Sequence, residues 1–328
     1  MLKIDTDIRP RLSIFASTHL IVISNNFPLM GNIVHNNKSK GLGWLPDYPS
    51  FKDYTPQTSS IAAMFKNVDL DKTLKSSVLK ESLPSKKDLR KWCSPIEDQK
   101  SLGSCTANAG VGMIEYFEKR AEGKYIDASR LFLYKVTRNL LNFKGDTGAF
   151  LRSAMGAITL FGVPPEEYWP YDVEKFDKEP PAFCYSFAKN FQAISYVRLD
   201  PSATPKEVLL KSIKNNIAKG FPCMFGFTVY NSIQQAGTTG KIPYPCEGEK
   251  VEGGHAIMAV GYDDKMAIKN ETCDVEAKGA LLIRNSWGTE RGEGGYGWLP
   301  YEYVLNGLAE DWWTLIKQSW VDTGQFGE

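Results

Sequence analysis

A change of pattern near Cys184 is the sequence feature that most restricts the fold. Before it, Cys105 to Arg120 and Thr147 to Phe161 have the apolar spacing of helices. After it, apolar or alternating runs at 191–199, 223–229, 255–262 and 280–285 predict strands. A helical half followed by a sheet-rich half predicts an α+β fold of two packed subdomains, with a cleft between them as the natural place for a site.

Capping signals mark two of the predicted helices. Ser104 stands where the N-cap of the Cys105 helix would lie. A further helix has Thr204 as its cap, with Pro205 in the first turn, Glu207 completing a capping box and Gly220 at the end.

The composition excludes some classes of function. The chain has 328 residues, 42% hydrophobic and 23% charged, with a formal net charge of +1. This charge gives no general attraction to nucleic acid, and no apolar run is long enough to span a membrane. We expect a monomer that does not bind nucleic acid. We also expect no metal site, because no CxxC spacing is present.

Residues 1–82 differ from the rest of the chain and are rich in Asn, Ser, Lys and Pro. They contain turn signals at Gly41-Leu42-Gly43 and at Pro46-Asp47, and one helical pattern from Ser59 to Phe65. We interpret them as a leader and small pro-segment ending near Leu83-Pro84. Within residues 1–24, the run from Leu12 to Ser24 resembles a weak signal peptide, which leaves a secreted or periplasmic location open; a disordered or mis-started N-terminus is the alternative.

Cys105, at the predicted helix start, is a candidate nucleophile. A thiol attacks a carbonyl as a thiolate, and a helix N-terminus favours that charge. His255 is the only histidine outside the N-terminal stretch, so a histidine that takes the proton of Cys105 must be His255. Each residue has an ordinary alternative: Cys105 and His255 as core residues, and Asn285 as the end of a strand. Their occurrence together with Gln99 favours a catalytic site.

The sequence resembles the papain-like (C1-type) cysteine peptidases over residues 83–320. The matching motifs stand in the family's order: QKSLGSCTANA, GDTGAF, GGHAIMAVGYDD and LIRNSWGTERGEGGYGWL. The resemblance implies a papain-like fold, with a helical subdomain near 86–190 and a β-rich subdomain near 191–328. It also implies hydrolysis of peptide bonds in a peptide or protein substrate through a thioester, without a metal or organic cofactor.

The resemblance also implies a role for each site residue. Cys105 is the nucleophile, His255 the general acid and base, and Asn285 the group that orients the imidazole. Gln99 and the Cys105 backbone N–H form the oxyanion hole. The expected substrate-binding residues are Gly103 and Ser104 before the nucleophile, Thr147 and Gly148 at the family's Gly-Gly stretch, Gly254 in the main specificity pocket, and Trp287 over the His255–Asn285 bond.

The cysteines depart from the family pattern. Two family cysteines are replaced by Leu102 and Gly145, consistent with the loss of one disulfide. The gap of 30 residues from His255 to Asn285 predicts a hairpin extension over 265–278. At about 3.3 Å per residue, the preceding strand would carry Cys273 away from Cys246, so we predict no disulfide between them.

The remaining cysteines have different expectations. A Cys93–Cys184 bond stays open, and Cys223, within an apolar run, is predicted to be a free core thiol.

A pro-segment hypothesis and two rival functions complete the expectations. The stretch from Gly43-Trp44-Leu45-Pro46 to Pro56 is predicted to lie extended over the cleft and to be removed near 80–84. The rivals are an acyl transferase with the same three residues, and a catalytically silent homologue that binds peptides.

Overall fold

The computed structural model describes residues 31–35, 38–68, 83–189 and 194–327. The predicted signal-like segment and most of the predicted cleavage region, 80–84, lie outside these residues. The fold is α+β, as predicted, and its helices pack against a seven-stranded antiparallel sheet. The strands of this sheet are β4 (Lys86–Asp88), β6 (Ser195–Arg198), β7 (Cys223–Tyr230), β8 (Val251–Lys269), β9 (Glu276–Arg284), β10 (Tyr296–Pro300) and β11 (Ala309–Ile316). Their order is β10-β9-β8-β7-β11-β6, and β4 pairs with β8.

The helices surround one long central helix, α2, that runs against the sheet. Gly112 of α2 lies so close to β8 that a Cβ at that position would come within 2.9 Å of Met258 Sδ. A residue without a side chain therefore lets the helix and strand backbones approach each other. The helices are α1 (Ser59–Asn67), α2 (Cys105–Glu122), α3 (Arg130–Leu140), α4 (Leu151–Phe161), α5 (Ala182–Ala188), α6 (Lys206–Ala218), α7 (Glu302–Leu305) and α8 (Gln318–Val321).

The N-terminal stretch contributes two small sheets. Strands β1 (Gly31–His35) and β2 (Lys38–Leu42) form an antiparallel pair, and β3 (Trp44–Leu45) runs parallel to β5 (Ala149–Phe150). The predicted turn at Gly41-Leu42-Gly43 is wrong, because this stretch is extended from β2 into β3. The two glycines do not form a turn but allow close approach to the backbone of residues 101–103.

Helix positions were predicted better than helix starts. α2 begins at Cys105 with Ser104 at its N-cap, as expected, but the Ser104 side chain makes no capping bond. α4 begins at Leu151, not Thr147, because residues 149–150 form a strand. The capping box is also wrong, since Thr204 Oγ1 donates to the Pro201 carbonyl and Pro205 is the N-cap of α6.

The prediction against a Cys246–Cys273 disulfide is wrong: the two cysteines are bonded, with Cα atoms 6.0 Å apart. The hairpin extension exists, but β8 does not run straight, because its pairing with β9 shifts between Ala259 and Gly261 and again between Asp263 and Ala267. Such irregularities bend a strand, so extrapolating its length misplaces its end.

Hydrogen bonds hold the hairpin tip in this position. Asn270 at the tip donates to the Tyr244 carbonyl and to Glu249, at 2.9 Å each. The tip of the extension is therefore folded onto the loop that contains Cys246. Cys93 and Cys184 are both free, so they do not form the bond left open above, and Cys223 is a free, buried thiol as predicted.

Within the described ranges, no helix combines the length and apolarity needed to cross a bilayer.

Candidate active site

Cys105 lies at the N-terminus of α2 and is fully buried. The helix N-terminus directs unpaired backbone N–H groups and partial positive charge toward the thiol. Ser104, which precedes it, uses its hydroxyl for a 2.6 Å hydrogen bond with Tyr171 and accepts from Asn108. These bonds fix the turn that leads into the helix.

His255 lies on β8 and Asn285 directly follows β9, so neighbouring strands bring them together. Asn285 Oδ1 is 2.8 Å from His255 Nε2, where it accepts a hydrogen bond from an Nε2–H imidazole. The Trp287 indole stacks on the imidazole with ring centroids 4.3 Å apart, and both rings are buried. Among the described residues, His255 Nδ1 has no hydrogen-bond partner, which leaves that nitrogen available to a neighbouring proton donor.

Gln99 is buried, and its side chain is held at both ends. Its Oε1 accepts a 2.6 Å hydrogen bond from Ser286 Oγ, next to Asn285. Its Nε2 donates to the Leu102 carbonyl at 2.8 Å and to the Gly41 carbonyl at 2.9 Å. The amide therefore points a donor at a carbonyl of the N-terminal stretch.

The cleft is occupied by residues 38–45, which we call the cleft segment. Its glycines lie directly on the loop before Cys105: a Cβ on Gly41 would come 2.3 Å from the Leu102 carbonyl oxygen, and one on Gly43 2.0 Å from that of Gly103. The Gly43 backbone also lies close enough to the Cys105 thiol to lower its pKa. Only glycine permits this approach, since every atom that a side chain would meet belongs to the backbone.

Ion pairs fasten the cleft segment on the side of Gln99. Lys40 Nζ lies 2.6 Å from Asp98 Oδ1, with the Lys40 side chain 7% exposed. Lys38 forms an exposed pair with Glu290. On the other side, the Gly43 carbonyl accepts a 2.9 Å hydrogen bond from the Ala149 N–H.

Burial shifts the pKa values of Cys105 and His255 in opposite directions. Burial raises the pKa of the Cys105 thiol to about 11, against the smaller effect of backbone hydrogen bonds. Burial also lowers the pKa of His255 to about 4; the Asn285 bond opposes this and the charge of Arg291 adds to it. The pair is therefore a neutral thiol and a neutral imidazole in this state.

Of the predicted substrate-binding residues, Gly148 lies directly on the cleft segment, as Gly103 does. Gly148 has a φ of +69°, and a Cβ there would come 2.3 Å from the Gly43 carbonyl oxygen. Thr147 Oγ1 bonds to the Gly148 carbonyl, and Gly254 pairs with Thr228 beside His255. Ala149, which pairs directly with the segment, was missed, although the GAF of GDTGAF placed it one residue after Gly148.

Asp146 was also missed. Its carboxylate accepts the Gly103 N–H at 3.0 Å and a short hydrogen bond from the Tyr134 hydroxyl. It thus ties the loop before Cys105 to the loop before Ala149, two places that the family joins by a disulfide. An aspartate between Gly145 and Thr147 was the available signal.

The comparisons with known proteins agree with this arrangement. The family model described as "Papain family cysteine protease" matches residues 83–314. An uncharacterised peptidase C1-like protein of Acanthamoeba polyphaga mimivirus is 36% identical over 224 residues, covering 66% of this chain and 68% of the viral protein. The thiol protease aleurain of Arabidopsis thaliana is 25% identical over 272 residues, covering 81% and 70%.

Among solved structures, xylellain, a cysteine protease from Xylella fastidiosa, has a TM-score of 0.64 and 30% identity, covering 87% of this chain and 99% of that one. The proform of digestive procathepsin L 3 from Tenebrio molitor larval midgut, at 20% identity and a TM-score of 0.54, covers 72% and 70% and shares the fold.

A buried cysteine at a helix N-terminus and a histidine bonded to an asparagine, together with these family matches, define a cysteine-type peptidase. The chain belongs to the papain family of cysteine proteases.

Proposed function

We propose that this protein hydrolyses peptide bonds with Cys105 as nucleophile, His255 as general acid and base, and Asn285 as the residue that orients the imidazole. The observation that carries the proposal is the contact between Gln99 and the cleft segment. A main-chain carbonyl, that of Gly41, accepts the Gln99 Nε2 donor while the same short peptide touches the Cys105 thiol. A substrate carbonyl bound in this way would be polarised beside the nucleophile.

The reaction follows from the positions of these groups. His255 Nδ1 takes the Cys105 proton, and the sulfur attacks the substrate carbonyl carbon. Gln99 Nε2 and the Cys105 backbone N–H stabilise the oxyanion, where one such donor is typically worth roughly 3–4 kcal/mol. The imidazolium then protonates the leaving amine, and water, deprotonated by the same ring, cleaves the thioester. Trp287 excludes water from the His255–Asn285 bond, which strengthens it.

We further propose that the chain is a precursor, with residues 1–82 as leader and pro-segment and 83–328 as the peptidase domain. Within that domain the helical subdomain spans about 86–190 and the β-rich one about 191–328. Three features support inhibition by the cleft segment: its glycines lie on the loop before Cys105, it occupies the Gln99 donor, and Cys105 and His255 are buried and favour their neutral forms.

A thiol-directed epoxide tests both parts. We expect slow labelling of the intact chain and rapid labelling, with peptide hydrolysis, after cleavage between residues 68 and 83; Cys105→Ser should neither label nor hydrolyse. Equal, fast labelling before cleavage would refute the precursor. Failure to label in both states would favour the silent homologue, and amide exchange with added amines in place of hydrolysis would favour the acyl transferase.

A further inference from the structure

The cleft segment places a side chain in a pocket as well as a backbone at the thiol. Trp44 follows Gly43 and is 2% exposed. Its indole lies flat on Gly226 of β7: a Cβ on that glycine would come within 1.8 Å of the ring. We call the space between Gly226 and Asp311 that the indole fills the Trp44 pocket. Gly226 pairs with Ala256, the residue after His255, so this pocket adjoins the catalytic strand.

The floor of the Trp44 pocket carries a hydrogen-bond acceptor. Asp311 Oδ2 accepts from Trp44 Nε1 at 3.2 Å. The other carboxylate oxygen accepts from Trp313 Nε1 at 2.7 Å and lies 3.2 Å from Arg198 Nη1. Asp311 is fully buried and has a φ of +63°, at an irregularity where β11 leaves its regular pairing with β7. The bulge directs this carboxylate into the pocket, and only Oδ2 is left for an occupant.

Asp311 shares an arginine of the peptidase domain with a second acid. Arg198 lies between Asp311 and Asp200, at 3.2 and 3.0 Å, and its side chain is 1% exposed. Arg152, nearby, pairs with Asp47 and Asp53, which belong to the pro-segment. When the pro-segment leaves, both acids leave with it. A cationic substrate side chain would then be repelled by Arg198 and by Arg152, which has lost both acidic partners. A neutral hydrogen-bond donor would not be repelled.

We propose that the Trp44 pocket is a specificity subsite of the peptidase and that it selects tryptophan in the substrate. This inference rests on the function proposed above. Gly226 leaves room for a ring as wide as indole, and Asp311 Oδ2 can accept a hydrogen bond from a neutral N–H at the ring edge. Phenylalanine would fill the space but leave that oxygen unpaired in a buried site, which is unfavourable. Arginine and lysine would be disfavoured by Arg198 and Arg152.

A positional peptide library, digested by the full chain after cleavage between residues 68 and 83, tests the inference. We expect one subsite on the acyl side of the cleaved bond to prefer tryptophan over phenylalanine by about tenfold or more, and over arginine or valine by more still. A preference there for arginine, or for valine or leucine over tryptophan, would overturn the inference while leaving the proposed function intact. Failure to cleave any peptide would instead count against the proposed function.

Two variants connect the preference to the pocket. Gly226→Ala places a methyl group where the indole lies, so the ratio of cleavage at tryptophan to cleavage at valine should fall at least tenfold. Gly156→Ala is the matched control, because the nearest atom to its added Cβ is Tyr196 Oη at 4.0 Å. Asp311→Asn should reduce the ratio of tryptophan to phenylalanine toward one without moving that of phenylalanine to valine. An unchanged ratio in both Gly226→Ala and Asp311→Asn would refute the assignment.

Discussion

Substituting Gly43 by alanine should release the cleft segment from the intact chain. The new Cβ would lie 2.0 Å from the Gly103 carbonyl oxygen, where ordinary contacts begin at 3.4 Å. The Gly103 loop is held by Asp146, so the segment must move away by more than one ångström. That shift breaks the hydrogen bond from Ala149 to Gly43, worth about 1 kcal/mol, and strains the packing of Trp44 by about 1–3 kcal/mol. The undocked population should rise roughly 30- to 900-fold.

The rate at which iodoacetamide alkylates Cys105 in the uncleaved chain measures this population. With the segment docked, the Cys105 pKa of about 11 leaves on the order of one thiolate in ten thousand at pH 7. Undocking exposes the thiol to solvent, so alkylation should accelerate with the undocked fraction. Mass spectrometry of the intact chain would follow Cys105 separately from the buried Cys93, Cys184 and Cys223.

Two further variants make the result decisive. Gly156→Ala adds the same methyl group in open space and should leave the rate unchanged. Lys40→Ala removes the ion pair with Asp98 without adding volume, so it should raise the rate, but less than Gly43→Ala does. If Gly43→Ala, folded by circular dichroism, alkylates within twofold of the parent chain, then the contact at Gly43 is not what shields Cys105.

Three further outcomes can be measured. In the activated enzyme, Gln99→Ala should lower kcat by about 10²–10³-fold with little change in KM, as steady-state kinetics would show; a change confined to KM would contradict an oxyanion role. Burial raises the pKa of Glu115 to about 7, so the folded chain keeps a proton that the unfolded chain releases above about pH 4.5. The free energy of unfolding should therefore fall by up to about 3 kcal/mol as pH rises from 4.5 to 7, and denaturant titrations of Glu115→Gln should give a flatter profile. Replacing Cys246 and Cys273 together by serine should cost about 3–4 kcal/mol in unfolding free energy, given their separation of 27 residues, and an unchanged denaturation midpoint would refute this.

The fold class and the grouping of the candidate site could be predicted because their signals are local. Cys105 follows a turn that contains Gly103 and begins a helix, while His255 lies within an apolar strand and Asn285 directly follows the next one. The pairing of two consecutive strands brings His255 and Asn285 together and needs no knowledge of the loops. The structure accordingly holds His255 against Asn285, and it places Gln99 one hydrogen bond from Ser286.

What escaped prediction depends on contacts between distant segments. The Cys246–Cys273 bond forms because bulges bend β8, and a bulge leaves little trace in the apolar pattern of a strand. Gly41-Leu42-Gly43 resembled a turn because glycine is usually required for its backbone angles. Here the two glycines are required for the space above residues 101–103, which exists only once the chain has folded. Asp311 was not singled out from the sequence, because its contact with Trp44 joins residues that are 267 positions apart.

If the cleft segment acts as proposed, one short peptide both blocks and deactivates a thiol site. Steric occupation alone would leave a charged Cys105–His255 pair, which remains reactive toward small electrophiles. In the intact chain both groups are buried, and burial shifts their pKa values in opposite directions, so the proton stays on sulfur and the imidazole stays neutral. We expect removal of the segment to bring both pKa values back toward those of exposed groups, because solvent would then reach the thiol and the Gln99 donor. Access to Cys105 and its charge state would then change in one displacement.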